Sequence, residues 1–299
     1  MDEINASEKP YYLFAGSSHS VHGLDEKRLE SKLNELGVNA NIGILAAGGM
    51  THLERKKVLK VVKSRINKPI KRLFVEISWS YGVDTLALIY KNPDAYRYSY
   101  VLDLSDIAYI FNVYSCERFN PTCIYKTHGG KKNYAISLKH IIRGSFNIGI
   151  FDKLVSWDSL NPKKPSNGFL KPHKTKMSEE RYERLKSRVT LVFESDKNYK
   201  PSHVMAGPIA DINDYSTLFG WPVSAYPMPA LFDKELKFTR QLCKELTTNA
   251  NIECVKFNTK EIVNTLSDRP NFHDSVHLTK KGRELFNDYA AQKIVEHLQ

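Results

Sequence analysis

The sequence predicts an α/β protein: a three-layer α/β/α sandwich around a mainly parallel sheet of about five strands. Three observations carry this. Over residues 11–78, short apolar runs bounded by glycine alternate with longer amphipathic stretches. The same alternation returns between residues 222 and 298. The intervening segments are long enough for crossover helices, which parallel neighbours require. With 299 residues, the chain can bury a full core without disulfide or metal support.

Tyr11–Ala15 is an aromatic and aliphatic run closed by Gly16, which reads as a buried strand. Leu24–Leu36 sets Leu29, Leu33 and Leu36 at helical spacing among charges, with Gly37 as its stop. Ile42–Ala47 is a second strand, flanked by glycines. Thr51–Ile66 is helical, with Leu53, Val58, Leu59 and Val62 on one face, and Arg72–Ser78 is the third strand. From about 83 to 190 the chain is rich in Tyr, Asn, Lys and Pro and its periodicity fades. It reads as a long insertion within a single domain spanning residues 1–299, with helices expected at Leu102–Tyr114, Tyr134–Ile142 and Ser178–Leu185. The tract 161–174 is loop. Strands are then expected at Val189–Glu194, Pro222–Tyr226 and Ile252–Phe257, and helices at Asp233–Leu246 and Thr279–Leu298.

Composition narrows the classes. No apolar run approaches the roughly 18–20 residues of a membrane span. The first ten residues, MDEINASEKP, lack the basic and apolar regions of a signal peptide. The chain as written therefore reads as cytoplasmic, and as extracytoplasmic if a leader or anchor has been removed. Cys116, Cys123, Cys243 and Cys254 have neither CxxC nor zinc-finger spacing, so four reduced cysteines and no metal site are expected, although Cys116 and Cys123 could bridge a loop in an exported protein. The net charge of +11 gathers at Arg55–Arg72 and Lys153–Lys176 and favours anionic partners by long-range attraction. For the first cluster a solvated helix face is the simpler account. No P-loop (His128-Gly129-Gly130-Lys131-Lys132 lacks the spacing), dinucleotide fingerprint or HExxH motif occurs, so no cofactor is expected.

In an open parallel sheet, functional residues collect at the carboxyl ends of the strands. FAGSSHS (14–20) puts a serine on the turn between the first strand and the next helix, where backbone N–H groups can meet a developing oxyanion. A serine N-cap on a glycine turn is the structural alternative. NFHDSVHLTKKGRELF (271–286) spaces Asp274 and His277 three apart, so the carboxylate can reach Nδ1 and leave Nε2 as a base. Asp274 closing an Asx-turn is the alternative there. His19, His22, His52, His128 and His273 are treated as ordinary polar residues.

Taken together, G-x-S after the first strand and D-x-x-H-L before the last helix resemble the terminal blocks of the SGNH (GDSL-like) hydrolase superfamily. The resemblance covers residues 11–82 and 220–298 and implies a flavodoxin-like SGNH fold. It implies Ser18 as nucleophile, His277 as base and Asp274 as its partner, with Ser17 where the family carries aspartate. It further implies an oxyanion hole built from the Ser18 N–H and Gly48, with Gly49 adjacent in AAGGMT (46–51). The family's G-x-N-D block is degenerate here: VEISWSYG (75–82) has no Asn, and Ser78 or Ser80 could offer a hydroxyl instead. The pattern is closest to bacterial members associated with acylation and deacylation of cell-surface polysaccharide. The function implied is a serine-dependent ester hydrolase or O-acyltransferase acting on an acylated carbohydrate or other ester. A non-catalytic module binding an anionic glycan or a partner protein is the alternative. Sequence-specific nucleic-acid binding ranks last, since no such motif appears.

Overall fold

A computed structural model describes residues 8–50, 52–68, 70–78, 104, 107, 177–194 and 206–299. Strand β1 (Tyr11–Gly16) leads into a short helix α1 (Ser18–Gly23) and then α2 (Glu26–Glu35), β2 (Asn41–Ala46), α3 (His52–Arg65) and β3 (Ile70–Ile77). After the insertion come α4 (Glu179–Glu194), α5 (Ala206–Phe219), β4 (Val223–Pro227), α6 (Asp233–Asn249), α7 (Lys260–Leu266), a 3₁₀ turn (Arg269–Asn271) and α8 (Lys280–Leu298). All strand pairs are parallel and the sheet order is β2-β1-β3-β4. The chain moves from β1 to one side and then returns to place β3 on the other. This creates a topological switch point at the carboxyl ends of β1 and β3, where such folds open a crevice.

The period-two alternation of the strands fills two cores. On one face Tyr12, Phe14, Ile42, Phe74 and Tyr226 pack against Leu29 and Leu33 of α2, Ile262 of α7 and Phe286, Ala290 and Ile294 of α8. On the other, Leu13, Ala15, Leu45, Leu73 and Val75 meet Val58, Leu59 and Val62 of α3 and Tyr215 and Phe219 of α5. A strand buried on both faces needs an almost continuous apolar run, which β1 and β3 supply. Phe14 and Phe74 stack at 4.5 Å, and Phe14 meets Tyr226 edge-on at 5.5 Å, tying β1, β3 and β4 together beneath the switch point.

Several expectations are corrected. Residues 189–194 are helical: Tyr182, Leu185, Val189 and Val192 form one buried stripe along α4, so the β-branched content that suggested a strand serves a helix face. Helices α5 and α7 had no counterpart in the sequence reading. The fifth strand is reduced to a parallel bridge, Cys254 to Ala225, held by Ala225 N–H to Glu253 O (2.9 Å) and Val255 N–H to Ala225 O (2.8 Å). The Phe257 N–H then bonds Val255 O at 3.0 Å, turning the chain so that the Phe257 ring enters the core. Cys243 and Cys254 are disulfide-bonded rather than reduced, with Cα atoms 5.5 Å apart. The Arg55–Arg72 cluster is not simply a solvated face: Arg55 and Lys56 are buried, and Lys56 pairs with Asp214 at 2.6 Å. Apart from residues 104 and 107, the helices expected at 102–114 and 134–142 lie outside the described residues, as do Cys116, Cys123, His128, Trp157 and the Lys153–Lys176 cluster. Among the described residues, no helix is long and apolar enough to cross a membrane.

Candidate active site

Ser17 and Ser18 leave the carboxyl end of β1 at the switch point. Ser17 caps α1, its Oγ accepting the His19 N–H at 3.4 Å, so Ser18 becomes the first residue of the helix. The tight exit depends on Gly16: a Cβ there would fall 2.0 Å from Ser20 Oγ and 2.7 Å from Glu76 Oε2. No side chain larger than hydrogen fits that approach.

The Asp/His loop arrives from the other end of the sequence. Phe272 and Leu278 form an antiparallel bridge, and the His273 N–H bonds His277 O at 2.8 Å, pinching 272–278 into a hairpin. Thr279 anchors it, accepting the Gly282 N–H at 3.2 Å as the α8 cap and donating to Pro270 O at 2.6 Å. Within the loop, Asp274 Oδ1 accepts the N–H groups of Val276 and His277, both at 2.9 Å. Its Oδ2 lies 2.8 Å from His277 Nδ1, and His277 Nε2 lies 2.9 Å from Ser18 Oγ. The Asx-type turn and the functional pairing therefore coexist, one on each carboxylate oxygen.

Those contacts fix the tautomer. An ionised carboxylate only accepts, so the proton facing Asp274 sits on Nδ1, and Nε2 is the acceptor for the Ser18 hydroxyl. Burial pushes the Asp274 carboxyl up, but the bonds from His277 and the Val276 N–H outweigh it and hold it well below the ordinary carboxylate value. Asp274 stays charged where an imidazolium would form.

Three further imidazoles surround this relay. His19 and His22 meet His277 at centroid distances of 5.3 and 5.0 Å, and His22 meets His273 at 6.1 Å. Burial lowers His22 to about 4, helped by the His277 and His273 charges, and burial likewise lowers His19. His22 is therefore neutral at physiological pH and adds no positive charge beside His277. Three of the five histidines treated as ordinary polar residues thus gather at the site. His52 does not: it packs between α3 and α5, its Nδ1 3.0 Å from Tyr215 OH and its Nε2 3.3 Å from Asp211. No three His, Cys, Asp or Glu side chains among the described residues are grouped to hold a metal ion.

Gly48 and Gly49 occupy the turn that follows β2, closed by Met50 N–H to Ala47 O at 3.1 Å. Gly49 has φ 63°, the left-handed region that favours glycine at this turn position. Ser78 is buried just beyond β3, and Ser80 lies outside the described residues.

The sequence reading overlooked Glu76. This β3 residue is fully buried, and its carboxylate accepts from the Ser17 N–H (2.9 Å), the Ser20 N–H (3.1 Å) and both serine hydroxyls. Ser20 Oγ, having given its proton to Glu76, accepts from Tyr226 OH at 2.7 Å. From beneath, Arg55 Nη1 donates to the Glu76 carbonyl at 2.7 Å. Burial alone would raise the Glu76 carboxyl, yet His19, Arg55 and the two serines together hold it below its ordinary value. The signal was present: one carboxylate inside the otherwise apolar strand LFVEI.

No protein-family model matches the chain, and no curated protein matches it. Among solved structures the chain is similar to a candidate SGNH hydrolase from Slackia heliotrinireducens, at 10% identity and TM-score 0.39 over 98% of this chain and 100% of that one. It is similar to a member of the lipolytic G-D-S-L family from Veillonella parvula, at 12% identity and TM-score 0.41 over 96% of each chain. An SGNH-hydrolase family esterase matches at 15% identity and TM-score 0.36 over 98% of each chain. These likenesses are distant, and the chemistry of the site follows from its own geometry.

Proposed function

We propose that the protein is a serine-dependent ester hydrolase or O-acyltransferase working through an acyl-serine intermediate. The observation that carries this is the unbroken relay from Asp274 through His277 to Ser18, with contacts of 2.8 and 2.9 Å. Ser18 Oγ attacks the acyl carbonyl as His277 Nε2 takes its proton, and Asp274 stabilises the imidazolium. The carbonyl oxygen becomes an oxyanion held by the Ser18 N–H and the Gly48 N–H, with Gly49 adjacent. Collapse of the tetrahedral adduct expels the alcohol, protonated by His277, and leaves Ser18 acylated. Water as second acceptor yields a carboxylic acid, and a sugar hydroxyl yields a new ester.

The substrate in this reading is an acylated carbohydrate or a similar ester. The net charge of +11 favours an anionic one. Turnover of p-nitrophenyl acetate at neutral pH tests the reading, comparing wild type with Ser18→Ala and His277→Ala. Activity abolished by both substitutions is expected. Activity that survives Ser18→Ala would overturn the assignment.

A further inference from the structure

The buried carboxylate of β3 has no part in the proton relay, yet it contacts the nucleophile turn at four points. Glu76 takes the N–H groups and the hydroxyls of Ser17 and Ser20, the residues on either side of Ser18 and His19. A charge removed from water is costly unless every lone pair is occupied. An apolar residue would fill the same strand position at less cost, as its neighbours Val75 and Ile77 do.

What the carboxylate does is visible in how the amides of the turn are allotted. The first N–H groups of a helix have no intrahelical acceptor. Glu76 takes those of Ser17 and Ser20, and Ser17 Oγ takes that of His19. The Val21 N–H closes on Ser17 O at 3.1 Å. The Ser18 N–H is left over, with no acceptor among the described residues, on the residue whose Oγ faces His277. Gly16 completes the arrangement, since any Cβ there would collide with both Ser20 and Glu76.

We propose that Glu76 is a positioning residue for acyl transfer: it locks the 17–20 turn so that Ser18 Oγ stays on His277 and the Ser18 N–H stays open for the oxyanion. This rests on the acyl-transfer reading above. It also accounts for Ser17: an aspartate at that position would set a second carboxylate against Glu76, whereas a serine donates to it.

The test compares wild type, Glu76→Gln, the milder Ser20→Ala and Ser18→Ala. It measures kcat and KM on p-nitrophenyl acetate and hydrogen exchange of the 17–20 amides. A carboxamide can keep its oxygen on the Ser17 and Ser20 N–H groups, but it removes the charge and turns the acceptor that faces the Ser17 hydroxyl into a donor, so the turn loosens while β3 keeps its shape. Glu76→Gln should lower kcat about 10–100-fold with KM within about twofold, because small misplacements of a reacting group cost this much. Faster exchange at Ser17 and Ser20 should accompany it. Should Glu76→Gln fail to fold, Ser20→Ala gives the same split at about 3–10-fold, since it removes one contact of the four. Unchanged kcat with unchanged exchange, alongside activity that Ser18→Ala abolishes, would overturn the role of Glu76 alone. A fall confined to KM would overturn it too. Turnover indifferent to Ser18→Ala would overturn the acyl-transfer reading and the role of Glu76 with it.

Discussion

Two serine–histidine contacts lie at opposite ends of this sheet. At the carboxyl end Ser18 Oγ is 2.9 Å from His277 Nε2; toward the amino end Ser224 Oγ is 2.8 Å from His297 Nε2. By distance alone they are the same feature, but their surroundings differ. His277 offers its second nitrogen to Asp274, whereas Glu253 approaches the very nitrogen of His297 that meets Ser224, at 3.4 Å. Ser224 is fully buried and also accepts from Arg72 Nη1 at 2.7 Å. No carbonyl carbon could reach it, and a guanidinium occupies the space beside its oxygen. The carboxyl-end pair thus has two things the amino-end pair lacks: an acid on the far imidazole nitrogen and a serine that is only partly buried.

The largest effect should separate the two ends outright. Ser18→Ala is expected to lower ester kcat about 10⁴–10⁶-fold. Ser224→Ala should leave kcat/KM within about twofold and remove about 1–2 kcal/mol of stability, because Arg72 loses a buried acceptor. Parallel kinetics and thermal melts on the two variants check this. Comparable activity in both would mean that the carboxyl-end contact is as structural as the other.

Asp274→Asn sharpens the comparison further. Asn Oδ1 can still accept the Val276 and His277 amides, so the hairpin survives. The NH₂ group then faces Nδ1 and drives the proton to Nε2, which can no longer accept from Ser18. A kcat loss of about 10³–10⁴-fold with little change in melting is expected. Glu253→Gln at the other end should leave kcat unaltered, and a matching loss there would break the distinction.

What was legible in the sequence follows the same division. Ser18, Asp274 and His277 were readable because each sits in a short block whose position relative to a strand or helix is itself a sequence feature. Glu76 was not, because one carboxylate within an apolar strand shows its purpose only when β1 is laid beside β3. The strands of the first half were legible to within a residue or two, since burial on both faces leaves an uninterrupted apolar run. Helix α5 escaped because Gly207 and Pro208 at its start, with Asn213, Ser216 and Thr217 beyond, read as loop. A proline in the first helical turn lacks only an N–H that would be unbonded there anyway. The Cys243–Cys254 pairing had no local signature: it exists because α6 runs back past the segment that bridges β4.

That disulfide belongs to the amino-end assembly, since Cys254 adjoins Glu253. Closing a separation of 11 residues restricts the unfolded chain and should contribute about 2–3 kcal/mol. Cys254→Ser, or reduction of wild type, should lower denaturation midpoints by that amount while kcat holds. A fall in kcat instead would show that the amino end communicates with the site.

The smallest effect concerns protons, and both ends take part. His22 beside the relay is held at about 4, and His297 is lowered by burial against the pull of Glu253. A free imidazole titrates near 6.5, so as pH falls the unfolded chain binds the proton first. Above about 6.5 both states are neutral at His22 and nothing is lost. Between about 6.5 and 4 the folded state is progressively disfavoured, and below 4 the penalty is complete. Because His22 is partly exposed, the full linkage value is discounted to about 1–2 kcal/mol. His22→Gln should narrow the difference in unfolding free energy between pH 7.5 and pH 4.5 by that amount, measured by urea denaturation at each pH. His297→Gln should narrow it as well, through the same burial at the far end. A gap unchanged in His22→Gln would mean that His22 takes up a proton in the folded chain at its ordinary pH, placing a cation beside His277 that the neutral arrangement excludes.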